Sequence, residues 1–223
     1  MPFRTWLELH ASVQSHCGPI IYYFSTSGAD VNDMATVLYA KLLVLGSSAV
    51  GKTALCQSFQ NDGTHFSKNY NMTTNVDILV KSMKVPGTKY NVEFLLIDTP
   101  SKDCFSQMVH KFYNNASLLA MVYDITNIKS FEECTQLFNE IKAIKTNPSL
   151  ASLPCVLIGN KSDLSQQRKV TTKEGEALAK KFDAELFECS VKEMQNVDSP
   201  FIYLADIYCK KYEKSLEYFS TLG

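Results

Sequence analysis

From Val37 onward the chain alternates between two hydrophobic rhythms. Short, nearly continuous apolar runs occur in "VLYAKLLVLG", "SLLAMVYD" and "LPCVLIGN". Runs of this length suit strands covered on both faces. "NVDILVKSMKV" alternates over part of its length and reads as a strand, "VPGTKYN" carries the Pro and Gly of a turn, and "VEFLLID" is the next strand. Together they predict a hairpin. "AELFEC" is a further short strand. Helical spacing falls between these runs. "KTALCQSF" has helical character, and in "SFEECTQLFNEIKAI" Phe131, Cys134, Leu137, Phe138, Ile141 and Ile144 recur on one helix face. Thr171 and Glu174 stand at capping-box spacing at the head of "TTKEGEALAKKF". The last helix is expected to open at "DSPFIY", with Ser199 as N-cap and Pro200 at the first helical position. Strands alternating with helices imply βαβ units with right-handed crossovers, and hence an α/β fold around a mostly parallel sheet.

Residues 1–36 do not share this grammar. They mix a brief apolar patch with Gly, Ser, Asp and Asn and show no sustained period. The expectation is an N-terminal extension, either mobile or a partner-binding arm, followed by one domain over residues 37–223. The 223 residues suffice for a domain with a sizeable core plus an appendage. Net charge is -1, which gives the chain no overall pull toward nucleic acid or an anionic membrane. The seven cysteines are scattered without a C-x-x-C pair, and most lie in apolar runs. They read as buried thiols of a reducing, cytoplasmic compartment. The four histidines do not pair with them at metal-ligand spacing, so no protein-only metal site is expected. No apolar stretch approaches the ~20 residues of a membrane span. No signal peptide, myristoylation or prenylation pattern is expected either, and so no lipid anchor.

The chemistry concentrates in four places. "GSSAVGKT", Gly46 to Thr53, matches G-x-x-x-x-G-K-[ST] after a strand and before a helix. In such a loop backbone N–H groups cradle phosphate oxygens, here from Gly46, Ser48, Ala49, Val50, Gly51, Lys52, Thr53 and Ala54. Lys52 reaches the β- and γ-phosphates and the Thr53 hydroxyl serves Mg2+. Asp98 ends "VEFLLID"; such an Asp could merely cap a turn, but paired with this loop it is expected to hold the same ion through water. "NKSD" follows the strand "PCVLIG". Asp163 there can accept two hydrogen bonds from N1–H and the 2-amino group of guanine, which adenine cannot offer. Asn160 ties this loop to the phosphate loop, and the stem of Lys161 can lie over the base. "SVK", Ser190, Val191 and Lys192, follows "AELFEC", and the Val191 N–H can receive the guanine O6. The ligand expected is GTP or GDP with Mg2+.

These elements, in this order, resemble the Ras superfamily of small GTPases from about residue 37 to the C-terminus. "GSSAVGKT", "YDITNIKSFE" and "SVK" are similar to the Rab branch. "DGTHFSKNYNMTTNVDI", the lysine of "DTPSKDCF" and "SVKEMQNVDSPF" are similar to the Rab-like GTPases of intraflagellar transport complex B. The resemblance implies a P-loop NTPase fold of the small-GTPase type: a mostly parallel six-stranded sheet with one antiparallel edge hairpin and helices on both faces. It also implies a cilium or flagellum as the place of action. The implied partners are a small β-sandwich transport subunit, paired as a heterodimer, and other subunits of the complex.

The resemblance further assigns "YNMTTNVD" as the first switch. Thr73 takes the position that closes over Mg2+ and the γ-phosphate, with Thr74 as the fallback. In the second switch the usual Gly and Gln are Ser101 and Lys102. Ser101 keeps a backbone N–H for the γ-phosphate, although its Cβ and the preceding Pro100 restrict the loop. A protonated Lys102 cannot accept a hydrogen bond from the attacking water. Of the catalytic candidates Lys52, Thr73 and Lys102, the last is thus a poor substitute. Turnover at or below the order of 10⁻⁴ s⁻¹ is expected; alternatively Lys102 pairs with the γ-phosphate and stabilises the GTP state. The functional expectation is a GTP-binding transport subunit that works chiefly as an interaction platform. The aromatics Phe201, Tyr203, Tyr208 and Tyr212 and the tail "LEYF" are candidates for a partner face, with Phe201 and Tyr208 better suited to covering the sheet. The alternative is a cycling Rab-type enzyme of vesicle traffic.

Overall fold

The structure is a computed structural model and describes residues 20–23, 36–63, 73, 75–100, 116–143 and 153–220. The strands are β1 (Ile20–Tyr23), β2 (Thr36–Leu45), β3 (Asp77–Lys84), β4 (Tyr90–Asp98), β5 (Leu118–Asp124), β6 (Cys155–Asn160) and β7 (Ala184–Glu188). The helices are α1 (Lys52–Gln60), α2 (Ile128–Ala143), α3 (Thr172–Phe182) and α4 (Ser199–Ser220), with a 3-10 turn over Ser162–Gln167. Six strands form the expected sheet in the order β3-β4-β2-β5-β6-β7. β2 pairs in parallel with both β4 and β5, β6 runs parallel to β5, and β7 runs parallel to β6. The edge hairpin is antiparallel, with Ile78 opposite Ile97 and Val80 opposite Leu95.

One strand departs from the expectation. β1 lies within the segment expected to be an extension and pairs antiparallel with the first four residues of β2, Ile20 opposite Tyr39 and Tyr23 opposite Thr36. β5 pairs with β2 only from Leu42 onward. The first half of β2 therefore has an open flank, and "IIYY" is a β-favouring stretch that fills it. Four residues carry too little period to be read from sequence.

The sheet separates two cores, as strict alternation along β2 requires. Leu42, Val44, Phe94 and Leu96 face α1 and α4, where Phe59 and Phe201 stack at 3.8 Å. Leu43, Leu45, Met121 and Leu157 face α2 and α3, where Phe138 and Phe182 stack at 3.8 Å. The predicted face of α2 is buried at Cys134, Leu137, Phe138 and Ile141, whereas Ile144 lies outside the described residues. The α3 capping box forms as read: Thr171 accepts from the Glu174 N–H, and the Glu174 carboxylate accepts from the Thr171 N–H at 2.7 Å. α4 begins one residue earlier than expected. Ser199 is already helical, and the Asp198 carbonyl accepts from the Ile202 N–H at 2.9 Å, so Asp198 rather than Ser199 is the half-turn before the helix. Of the candidate partner-face aromatics, Tyr212 is buried and meets Tyr90 edge-on at 5.7 Å, so it is core along with Phe201 and Tyr208. Tyr203 is half-buried, Tyr218 is 63% exposed, and the side chain of Phe219 lies outside the described residues. Among the described residues no helix is long and apolar enough to cross a membrane.

The chain leaves β2, β4, β5, β6 and β7 at one end of the sheet, the carboxyl end of the parallel strands, where such folds bind ligands. A bidentate ion pair fixes the connection between the last two of these exits. Arg168 Nη1 and Nη2 donate to Glu188 Oε1 and Oε2 at 2.6 and 2.9 Å, and Thr172 adds a bond at 3.1 Å. The Arg168 bonds hold the Glu188 carboxyl below its ordinary range, against the opposing pull of burial. A depressed folded-state pKa stabilises the fold above the ordinary carboxylate value of about 4.3 and loses that contribution as pH falls through the folded value. Glu188→Gln is expected to cost about 1–2 kcal/mol in urea unfolding at pH 7. The gap between variant and wild type should shrink as pH falls below the ordinary carboxylate range and through the folded value; a gap that does not change with pH would contradict the assignment.

Candidate functional site

The phosphate loop leaves β2 at Gly46 and enters α1 at Lys52. Its carbonyls are bonded by donors at fixed distances. Lys52 Nζ donates to the carbonyls of Gly46 at 2.9 Å and Ser47 at 2.8 Å. Lys161 Nζ donates to the Ala49 carbonyl at 2.8 Å and Asn160 Nδ2 to the Val50 carbonyl at 2.8 Å. The Leu55 N–H takes the Gly51 carbonyl at 2.9 Å. A trans peptide points its N–H opposite its C=O, so each of these bonds also aims the next residue's N–H to the other side. The carbonyls of Gly46, Ser47, Ala49, Val50 and Gly51 are all bonded, and the loop runs into the N-terminus of α1, an arrangement that suits an anion.

The turn demands its glycines. Gly51 has φ 98°, and a Cβ there would stand 2.4 Å from Asn160 Nδ2. At Gly46 a Cβ would meet the Val122 carbonyl at 2.1 Å. Ala49 also sits in the left-handed region at φ 60°, at the exposed tip of the loop beside Ser48. Lys52 is 7% exposed; burial pulls its ammonium below the usual range, and Asp98 is the largest influence the other way.

At the end of β4, Asp98 is fully buried. Thr53 Oγ1 donates to Asp98 Oδ2 at 2.5 Å and lies 2.7 Å from Thr73 Oγ1. Asp98 Oδ1 is buried and has no hydrogen-bond partner among the described residues. Burial pushes this carboxyl up, against the Thr53 bond and the Lys52 charge. A buried carboxylate oxygen needs a partner, and two hydroxyls and a carboxylate make a hard oxygen donor set. The residues therefore fit Mg2+. Ala54 follows on the first turn of α1. Thr74, Ser101 and Lys102 lie outside the described residues.

β6 and β7 supply the second half. Asn160 is 2% exposed, and its Oδ1 accepts from the Lys161 N–H at 2.7 Å and the Val191 N–H at 3.4 Å. Lys161 has φ 66°, and its ammonium also pairs with Asp124 Oδ2 at 2.6 Å. Burial would raise the Asp124 carboxyl, but bonds from Lys161 and Thr126 outweigh it and hold Asp124 below its usual range. Ser190 Oγ donates to Asp163 Oδ1 at 2.7 Å and accepts from the Glu193 N–H at 3.1 Å. The outer oxygen, Asp163 Oδ2, stands 3.6 Å from the Lys192 ammonium, which is 60% exposed.

The structure thus brings Gly46, Ser48–Ala54, Thr73, Asp98, Asn160, Lys161, Asp163, Ser190, Val191 and Lys192 to one end of the sheet. Two residues at this site carried no role from sequence. Asp124 ends β5 just before "ITN", and its Oδ1 accepts from the Thr126 N–H at 2.8 Å; a strand-final Asp ahead of such a turn was a readable signal. Glu133 accepts a hydrogen bond from the Ser47 hydroxyl in the phosphate loop, and nothing in the helical period of α2 marks it.

The Ras family profile matches residues 41–210. "Intraflagellar transport protein 27 homolog" of Bos taurus is 43% identical over 185 residues, 83% of this chain and 98% of the relative. "Intraflagellar transport protein 27" of Chlamydomonas reinhardtii is 30% identical over 189 residues, 84% of this chain and 92% of the relative. "Ras-related protein Rab-13" of Bos taurus is 36% identical over 171 residues, 76% of this chain and 80% of the relative. The chain belongs to the Ras family. Within it the chain is Rab-like, and guanine nucleotides are the ligand class of that family.

Gly51→Ala would force a Cβ against Asn160 at an unfavourable φ. It is expected to weaken binding of a fluorescent GDP analogue by about ten- to a hundredfold, with the circular dichroism of the fold retained. Unchanged affinity would show that the loop does not need this close approach.

Proposed function

We propose that this protein is a Rab-like GTP-binding subunit of the intraflagellar transport machinery that hydrolyses GTP slowly or not at all. The observation that carries the reading is the reach of Lys161 and Asn160 from the base loop to the carbonyls of Ala49 and Val50 in the phosphate loop. One set of side chains thereby orders both the phosphate nest and the guanine end. Asp163, held by Ser190, is assigned to the base edge, and the Val191 N–H, which here makes a long 3.4 Å bond to Asn160 Oδ1, is assigned to O6 when the nucleotide binds. Lys52 binds the β- and γ-phosphates. Thr53, Thr73 and Asp98 would hold Mg2+, whose charge offsets that of the phosphates. Ser101 retains an amide for sensing the γ-phosphate, while Lys102 in place of Gln leaves the attacking water unoriented.

The relatives named as intraflagellar transport proteins support the assignment to transport in the cilium or flagellum. The partners proposed are a small β-sandwich transport subunit, in a heterodimer, and other subunits of the complex. The 36% identity to Rab-13 favours a second reading, a cycling Rab of vesicle traffic.

Two measurements test these readings. Asp163→Ala is expected to lower GDP affinity by about a hundredfold or more and to erase the preference for guanine over adenine nucleotides; an unchanged preference contradicts the base assignment. Phosphate release from pre-bound GTP and Mg2+ should proceed no faster than the order of 10⁻⁴ s⁻¹. Rapid single-turnover hydrolysis by the protein alone, or recovery of a lipid-modified form from cells without transport subunits, would favour the cycling Rab.

A further inference from the structure

The two halves of the phosphate loop are anchored differently. The second half, Ala49 to Gly51, is held by the base loop and by α1, whose residues the sequence motifs mark. The first half, Gly46 and Ser47, rests against β5 and α2. Gly46 lies against the Val122 carbonyl, to which Cys134 Sγ of α2 donates at 3.5 Å. The next residue back, Glu133, accepts the hydroxyl hydrogen bond of Ser47, which is 6% exposed. The Ser47 carbonyl in turn receives Lys52 Nζ.

The support under Glu133 is rigid. Ser130 Oγ, in the first turn of α2, accepts from the Asp124 N–H at 3.0 Å and donates to the Asn127 carbonyl at 2.7 Å, which locks the helix start to the end of β5. A carboxyl placed beside a polyphosphate site is electrostatically adverse, since its charge repels the ligand. Its presence calls for a benefit, and the geometry supplies one: it fixes the residue whose carbonyl receives Lys52 Nζ, the ammonium assigned to the phosphates.

We propose that Glu133 is a positioning residue for the nucleotide, holding the first half of the phosphate loop through the Ser47 hydroxyl. This rests on the guanine-nucleotide reading above. Its benefit lies in hydrogen-bond acceptance and its charge is a disadvantage, so the two separate on substitution. Glu133→Ala loses both. Glu133→Gln keeps an acceptor oxygen and removes the charge. Ser47→Ala removes the donor without adding bulk.

The test is the dissociation rate of a fluorescent GDP analogue from the full chain with Mg2+, chased by excess GDP. Glu133→Ala and Ser47→Ala are each expected to speed release by about tenfold. Glu133→Gln should release at the wild-type rate or more slowly, and the Ser47→Ala/Glu133→Ala double variant no faster than either single one. A purely electrostatic role predicts slower release from both Glu133 variants, and a merely structural role predicts lowered thermal stability with an unchanged rate. Either of these results, release from Glu133→Gln as fast as from Glu133→Ala, or multiplying effects in the double variant would overturn the proposal. Should Glu133→Ala fail to fold, Ser47→Ala and Glu133→Gln read the same contact from its two sides. Wild-type protein that does not bind the probe overturns the functional reading and this inference with it. Wild-type binding with Glu133→Ala and Ser47→Ala unchanged overturns the inference alone.

Discussion

Everything at the carboxyl end of the sheet depends on the orientation of a few peptide groups. A phosphate nest works only when its amides converge, and a peptide cannot present its N–H to the ligand without burying or bonding its C=O elsewhere. In this chain the loop's carbonyls are bonded by groups drawn from distant segments. Lys52 takes two carbonyls, Lys161 and Asn160 take one each, and the Leu55 amide takes another. The loop is thereby preorganised, so little ordering remains to be done when a ligand arrives.

The fold's contribution is to deliver those donors to one place. β2, β4, β5, β6 and β7 end together, and the two cores on either side of the sheet hold them in register. Asp98, Asp124, Asn160 and Ser190 each stand at or just beyond a strand end, so their positions follow from strand pairing rather than from loop conformation. Asp124 links the middle of the sheet to Lys161, and through Lys161 to Ala49. The "NKSD" loop and the "GSSAVGKT" loop are thus parts of one hydrogen-bonded unit. A change in Asn160 or Lys161 would reach both ends of the site.

Much of this was legible in sequence because it rests on short-range rules. The apolar runs, the hairpin turn and the Thr171–Glu174 cap are local patterns, and each is found where local physics puts it. The glycines of "GSSAVGKT" were readable because close approach tolerates few residue types. What escaped was decided by tertiary context. β1 exists because β5 leaves half of β2 open, a fact about spatial neighbours. Tyr212 is core because Tyr90 is there to meet it, and Glu133 matters because α2 crosses behind Gly46 and Ser47. Helix period shows which face is apolar and is silent about which polar residue on the other face finds a partner.

Isothermal titration calorimetry of the full chain with GDP and, separately, ADP, in the presence of Mg2+, tests the central claim most directly. A preformed amide nest joined to a guanine-selecting carboxylate predicts one-to-one binding of GDP with favourable enthalpy and no measurable binding of ADP. No heat of association with GDP, or equal binding of both nucleotides, would contradict it.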